Sequence, residues 1–193
     1  MLPFLHDRLQ AMERLLARSS EMLAKYNRLD LDLAPALTEF LDQAIAGYHA
    51  LNRAEVQNQL LALKAEFVSA GQGTHPLTLE KVTSRRREMV RAIALRVLQK
   101  SAEQLRADIE RDAGLLANAG AQLRPIVLAA IQKGLIPLGQ AKPVNQKQLD
   151  KLWRALLADS DLQLAARQVA MQVSVYDIQL LLADLIQAAR PQA

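Results

Sequence analysis

The stretch that decides the fold is Thr78–Leu116, which reads TLEKVTSRRREMVRAIALRVLQKSAEQLRADIERDAGLL. It opens with Thr78 and Glu80, a combination typical of a helix start, and it contains no Pro or Gly before Gly114. At 1.5 Å per residue, a helix of roughly 35 residues extends for about 50 Å, well beyond the usual three or four turns. We therefore expect one long helix here, with the rest of the chain packed along it.

The apolar residues of this stretch fall on two separate sectors of a helical wheel. One sector holds Val82, Met89, Val90, Ile93 and Val97, and the opposite sector holds Leu95, Leu98, Leu105 and Ile109. A helix that is apolar on two sides is sandwiched between neighbours instead of lying on a surface. The pattern predicts the central helix of a bundle.

Three shorter helices are predicted before this stretch: about Pro3–Tyr26, a second from a cap at Asp32 to about Leu51, and a third that ends at Gly71. Asn52 with Glu55 resembles a capping box, so we expect a break between the second and third helices there. Gly71 is expected at the C′ position of the third helix. One continuous helix across Asn52 is an alternative, because no residue there forbids it.

After the long stretch, Gly114 and Gly120 are expected to interrupt the helix. A separate helix is predicted over about Gln122–Lys133, with Pro125 in its first turn and Gly134 after its end.

A linker follows, marked by Pro137, Gly139 and Pro143. Three short helices are predicted beyond it, and two of them carry capping signatures at Asn145 and Ser174. We predict a main helical bundle over 1–134, a linker at 135–144, and a small three-helix unit over 145–193.

The composition favours helix throughout. Of the 193 residues, 51% are hydrophobic but only 4% are aromatic, and there are seven Gly and seven Pro. Abundant Ala and Leu with few helix breakers favour an all-α, up-and-down helical bundle.

Several chemistries are disfavoured by what the sequence lacks. Without Cys there is no disulfide, no thiolate metal site and no cysteine nucleophile. No Glu-x-x-His or His-Glu-x-x-His pair occurs, and His6, His49 and His75 are far apart in the sequence. Gly71 and Gly73 follow a helix and lack the ending of a phosphate-binding loop. We expect no metal, no cofactor and no catalytic residue.

The N-terminus reaches charged residues at once, unlike a signal peptide, and no apolar run approaches the length of a membrane span. We expect a cytoplasmic protein that does not contact a membrane.

The most distinctive feature is the basic segment of the long helix. The chain has a net charge of +4, whereas residues 80–106 alone carry eight basic and three acidic side chains. The candidate contacts to a partner or an anion are Arg85, Arg86, Arg87, Arg91 and Arg96.

Arg87 and Arg91 share one helix face at i,i+4 with apolar neighbours, where we expect partial burial. Three interpretations remain open for this pair, namely salt bridges within the chain, an acidic surface on a partner protein, and nucleic acid or a phosphate ligand. Glu88 and Glu103 interrupt the basic sector, and no aromatic residue lies within it for base stacking.

These observations predict a non-enzymatic interaction or structural protein that associates with itself or with a helical partner. The alternatives are nucleic-acid or phosphate-ligand binding through the basic segment, and a helical enzyme whose residues converge only in three dimensions.

Overall fold

The computed structural model of the chain describes residues 4–82, 84–136 and 145–189, and these residues form an all-α structure. Its helices are α1 (Leu5–Arg28), α2 (Leu33–Ala50), α3 (Ala54–Gly71), α4 (Arg86–Gln132), α5 (Gln146–Ala158), α6 (Gln163–Ala170) and α7 (Val175–Ala189). The predicted fold class is confirmed, because α4 is one long central helix that packs against the others.

The start of α4 differs from the prediction. The helix begins at Arg86 instead of Thr78, because the preceding residues form a short hairpin closed by an antiparallel bridge between Thr74 and Lys81. Gly73 supports the first turn with a φ of 83°, and its carbonyl accepts a hydrogen bond from the backbone N–H of Val82 at 2.8 Å. This pairing takes the backbone groups that a helix would otherwise use.

The end of α4 also differs, since Gly114, Gly120 and Pro125 all lie inside the helix. The expected interruption and the separate helix from Gln122 are therefore wrong. Leu123, which lies between Gly120 and Pro125, is nearly inaccessible to solvent, and its burial together with that of neighbours such as Ile126 and Val127 outweighs the cost of the breakers.

The helix ends at the position that the sequence predicted. Gly134 has a φ of 74°, and the N–H of Leu135 donates to the carbonyl of Ala130 at 2.9 Å, as in a Schellman motif.

The chain divides into two compact units, and the division falls within α4. Unit 1 includes Arg8–Glu110, whereas unit 2 combines Phe4–Asp7 with the chain from Arg111 onward. The predicted linker at 135–144 lies mostly outside the described residues, so the predicted domain boundaries remain a prediction.

Unit 1 has a core supplied by one face from each of its helices. Its large buried side chains include Met12 on α1, Leu37, Phe40, Leu41 and Tyr48 on α2, Leu60 on α3, and Val97 and Leu105 on α4.

The predicted break at Asn52 exists, but the capping box does not. Arg53 occupies the N-cap of α3, and its side chain forms no capping hydrogen bond with that helix. Asn52 instead adopts a φ of 54° as the C′ residue of α2, because the N–H of Arg53 donates to the carbonyl of Tyr48 at 3.0 Å. Likewise, the C′ residue of α3 is Gly73 and not Gly71.

Unit 2 packs α5, α6 and α7 against one another. Leu156, Val169, Ile178 and Leu182 are almost fully buried within it. The predicted capping box of α5 is present, with the Asn145 side chain accepting from the backbone N–H of Gln148.

A buried carboxylate joins two helix ends of unit 2. Asp177, near the start of α7, is only 1% exposed and accepts backbone N–H bonds from Leu5 and His6 at 3.1 Å, as well as a bond from the His6 ring at 3.0 Å. The Ser174 hydroxyl also donates to it at 2.6 Å. Asp177 thereby supplies the anion that the N-terminus of α1 favours.

Candidate interaction surfaces

The basic segment predicted from the sequence lies on two different local structures. Arg85 precedes α4 with a φ of 57°, whereas Arg86, Arg87, Arg91 and Arg96 lie on the first turns of the helix. All five side chains are exposed, so the partial burial expected for Arg87 and Arg91 is wrong.

Three of these arginines have partners within unit 1. Arg86 donates to the backbone carbonyl of Gly71 and so ties the start of α4 to the end of α3. The guanidinium of Arg91 lies 5.0 Å from the centre of the Tyr26 ring, a cation–π geometry. Arg96 forms an ion pair with Glu66 at 3.6 Å.

Arg85 and Arg87 differ from the other three because, among the described residues, neither has a carboxylate, a carbonyl group or an aromatic ring as a partner. Of the three interpretations open for Arg87 and Arg91, a salt bridge within the chain is not observed for either residue in the described part of the chain. The charge of Arg87 is available to a partner.

The hairpin before α4 carries two exposed leucines at its tip. Leu77 is 70% exposed and Leu79 is 76% exposed. His75 fixes the tip, since its Nδ1 accepts backbone N–H bonds from Leu77 at 3.4 Å and from Thr78 at 3.3 Å. Residues 74–82 are called the hairpin below.

A groove of about 610 Å³ runs between α3 and α4 in unit 1. Val56, Leu60 and Leu63 form its apolar floor, and Arg96 and Lys100 lie along its rim. The ion pair with Glu66 already engages Arg96 there.

The described residues contain no group of three or more His, Asp or Glu side chains that could hold a metal. His6 is engaged with Asp177 in unit 2, while His49 lies 3.4 Å from the Gln57 side chain and His75 is part of the hairpin.

One buried carboxylate of unit 1 was not anticipated from the sequence. Asp108 on α4 is 1% exposed and accepts hydrogen bonds from the Tyr48 hydroxyl at 2.8 Å, Arg53 at 2.9 Å and Gln104 at 3.1 Å. These donors account for the burial of its charge, so Asp108 serves the fold.

The second half of α4 leaves apolar side chains exposed, among them Leu115 at 41% and Leu128 at 52%. Among the described helices, α4 alone contains an 18-residue window long and apolar enough to cross a membrane, by length and composition only, and 33% of that window is buried. A core helix of a soluble protein meets the same test, so this window does not establish a membrane location.

The exposed side of this region is one continuous helix face, which we call the α4 outer face. At 100° per residue, its members fall within a sector of about 80°. They are Glu110, Ala113, Ala117, Ala121, Arg124 and Leu128, and all six are exposed.

Sequence reasoning missed both the hairpin leucines and the α4 outer face. The start signal at Thr78 placed Leu79 inside a helix and Leu77 directly before it, although Gly71, Gly73 and Pro76 were a signal for a turn. The outer face was missed because Gly114 and Gly120 were expected to interrupt the helix that carries it.

No protein-family model matches the chain, and neither a curated protein nor a solved structure matches it.

Proposed function

We propose that this chain is a non-enzymatic helical interaction protein that acts by self-association, with the α4 outer face of one copy packed against the same face of a second copy. The two helices run antiparallel about a twofold axis at Ala117.

The observation that carries this proposal is the self-complementary charge pattern of the face. Glu110 and Arg124 are each seven residues from Ala117, on opposite sides of it. In an antiparallel pair centred on Ala117, Glu110 of each copy therefore lies opposite Arg124 of the other. An isologous interface requires this kind of pattern, because every contact occurs twice.

Small side chains support the same arrangement. Ala113 and Ala121 exchange places across the axis, and no side chain between Glu110 and Arg124 on this face is larger than Ala. Two helices with small residues at their contact approach closely, which increases dispersion contacts along both backbones. Leu128, 52% exposed in the single chain, extends the apolar surface of the face beyond Arg124.

The proposal is tested by size-exclusion chromatography with light scattering over a range of protein concentrations. We expect a dimer in the wild type and a monomer in Ala117→Glu, because the two new carboxylates would meet at the axis. Ala65→Glu is the matched control, since Ala65 is exposed on α3 and the substitution has the same helix propensity cost.

The control variant should remain dimeric. A wild type that is monomeric at every concentration, or an Ala117→Glu variant as dimeric as the control, would contradict the proposal.

A further inference from the structure

We propose that the hairpin docks onto the surface of an anionic phospholipid membrane, with Leu77 and Leu79 entering the interface and Lys81, Arg85 and Arg87 contacting the headgroups. This inference goes beyond the proposed self-association, because it uses a different surface, in unit 1. It departs from the expectation, drawn from the sequence, of a protein that does not contact a membrane.

Leu77 and Leu79 expose most of their apolar side chains at the hairpin tip. A polypeptide turn of this kind usually presents polar side chains, whereas Leu77 and Leu79 are 70% and 76% exposed. Leu79 also has a φ of 59°, a left-handed conformation that disfavours a branched side chain. Apolar exposure together with backbone strain is typical of a binding loop.

Hydrogen bonds within the hairpin fix the conformation of its tip. The backbone N–H of His75 donates to the carbonyl of Glu80 at 2.9 Å, and the N–H of Leu79 donates to the carbonyl of His75 at 2.8 Å. With the His75 ring accepting from Leu77 and Thr78, the leucines are presented on a preorganised turn. Preorganisation reduces the entropy lost on binding.

Basic side chains lie beside the hairpin tip in the sequence. Lys81, Arg85 and Arg87 are exposed, and within the described ranges none forms an ion pair with a carboxylate. Glu80 and Glu88 are the acidic residues among them, so residues 74–91 carry five basic and two acidic side chains. An excess of basic residues attracts an anionic surface.

Apolar and basic residues together favour a lipid surface over the two other anionic partners. Nucleic acid would use the arginines, but aliphatic side chains enter a duplex only as wedges that unstack its bases. The one aromatic ring of the hairpin, that of His75, is held against the turn by hydrogen bonds from Leu77 and Thr78. A protein partner would need a concave apolar pocket matched to a protruding turn. A membrane interface accepts protruding leucines while its headgroups pair with the cations around them.

The experiment is co-sedimentation of the full chain with vesicles of phosphatidylserine and phosphatidylcholine in equal parts, compared with vesicles of phosphatidylcholine alone. We expect binding to the anionic vesicles at least about tenfold tighter than to the neutral ones, decreasing as salt is added. Arg85→Gln with Arg87→Gln should weaken binding by about 25-fold, at about fivefold for each charge.

The leucines are tested separately from the charge. Leu77→Ser with Leu79→Asn keeps every charge and places Asn, which tolerates positive φ, at the strained position. We expect this variant to bind anionic vesicles at least about tenfold more weakly than wild type. Leu61→Ser is the control, because Leu61 is an exposed leucine on α3 of the same unit, and its binding should not change.

Circular dichroism melting verifies that each variant is folded. Equal binding to neutral and anionic vesicles, or no binding to either, would overturn the proposal. So would anionic binding that is insensitive to the leucine substitutions, or tighter binding to duplex DNA that depends on the arginines but not on the leucines.

Discussion

At the scale of single residues, the helix ends of this protein depend on left-handed C′ positions. Four helices end this way, with Leu29 after α1, Asn52 after α2, Gly73 after α3 and Gly134 after α4. Gly has no steric penalty there and Asn tolerates the conformation, but a leucine is strained by contact between its Cβ and the following carbonyl. Among these four C′ positions, a substitution at Leu29 should therefore stabilise the protein most.

Replacing Leu29 with Gly should stabilise unit 1 by about 0.5–1 kcal/mol, because relief of the steric penalty exceeds the added flexibility of the unfolded chain. Leu29 is 59% exposed, so little packing is lost. Urea unfolding followed by circular dichroism measures the change, with Asn52→Gly as the matched control, which should alter stability by less. A destabilised Leu29→Gly variant would show that the leucine side chain contributes more than its backbone costs.

Asp177 determines a second residue-scale prediction. Burial raises the pKa of its carboxyl group, but hydrogen bonds from Ser174, from the His6 ring and from the backbone N–H groups of His6 and Leu5 outweigh burial and lower the pKa below the ordinary 3.8. A carboxyl group with a lowered pKa stabilises the fold above its unfolded pKa, and that stability is lost as the pH falls through the folded pKa.

We expect Asp177→Asn to destabilise unit 2 by about 2 kcal/mol at neutral pH, because charged hydrogen bonds at the start of α1 are lost. The difference from wild type should be constant above about pH 5 and should shrink as the pH falls below 3.8. Fluorescence of Trp153, the only tryptophan and buried in unit 2, reports unfolding.

The control for this prediction is Asp184→Asn, since Asp184 lies on the exposed side of the same helix. It should change stability by less than about 0.5 kcal/mol. A pH-independent difference between wild type and Asp177→Asn would refute the electrostatic explanation.

At the scale of secondary structure, the apolar periodicity of the sequence predicted the helices far better than it predicted the bounds of α4. Sequence reasoning placed α1, α2 and α3 close to their observed ends and α5 and α7 close to their observed starts, because each has a buried stripe and a turn or capping signal beside it. The errors come from local signals that tertiary contacts override. Thr78 is a residue type common at helix starts but lies in a hairpin. Gly114 and Pro125 are residue types that usually interrupt helices but lie inside α4.

Substitutions of two glycines, one inside α4 and one just after its end, should change stability in opposite directions. A Cβ added at Gly114 meets nothing within 4 Å and Gly114 is inside the helix, so Gly114→Ala should stabilise unit 2 by about 0.5–1 kcal/mol. Gly134 has a φ of 74°, so Gly134→Ala should destabilise it by about 1 kcal/mol. Urea unfolding monitored by Trp153 fluorescence measures both.

If Gly114→Ala were destabilising, α4 would not be a continuous helix at this point. The α4 outer face would then also be lost, because it depends on helical geometry from Glu110 to Leu128.

At the scale of the whole molecule, the sequence was sufficient to predict the all-α class and one long central helix. It was not sufficient to predict the interaction surfaces. Hydrophobic content and the rarity of breakers determine the class. The α4 outer face depends on which side of α4 is left uncovered by other helices. The hairpin depends on hydrogen bonds between residues farther apart than the four positions of a helical bond, such as that between Gly73 and Val82. Arg85 was identified as a candidate from the basic segment and Arg87 also from its i,i+4 spacing with Arg91, and their role as partner contacts remains a prediction.

The central claim is that two copies associate through the α4 outer face, and sedimentation velocity on a charge-swap series tests it most directly. Each single variant, Glu110→Arg or Arg124→Glu, places like charges opposite each other twice in the dimer and should weaken association by about tenfold or more. The double variant restores opposite charges in reversed order, so it should dimerise like the wild type. A double variant as monomeric as the single ones, or four proteins with the same oligomeric state, would contradict the account.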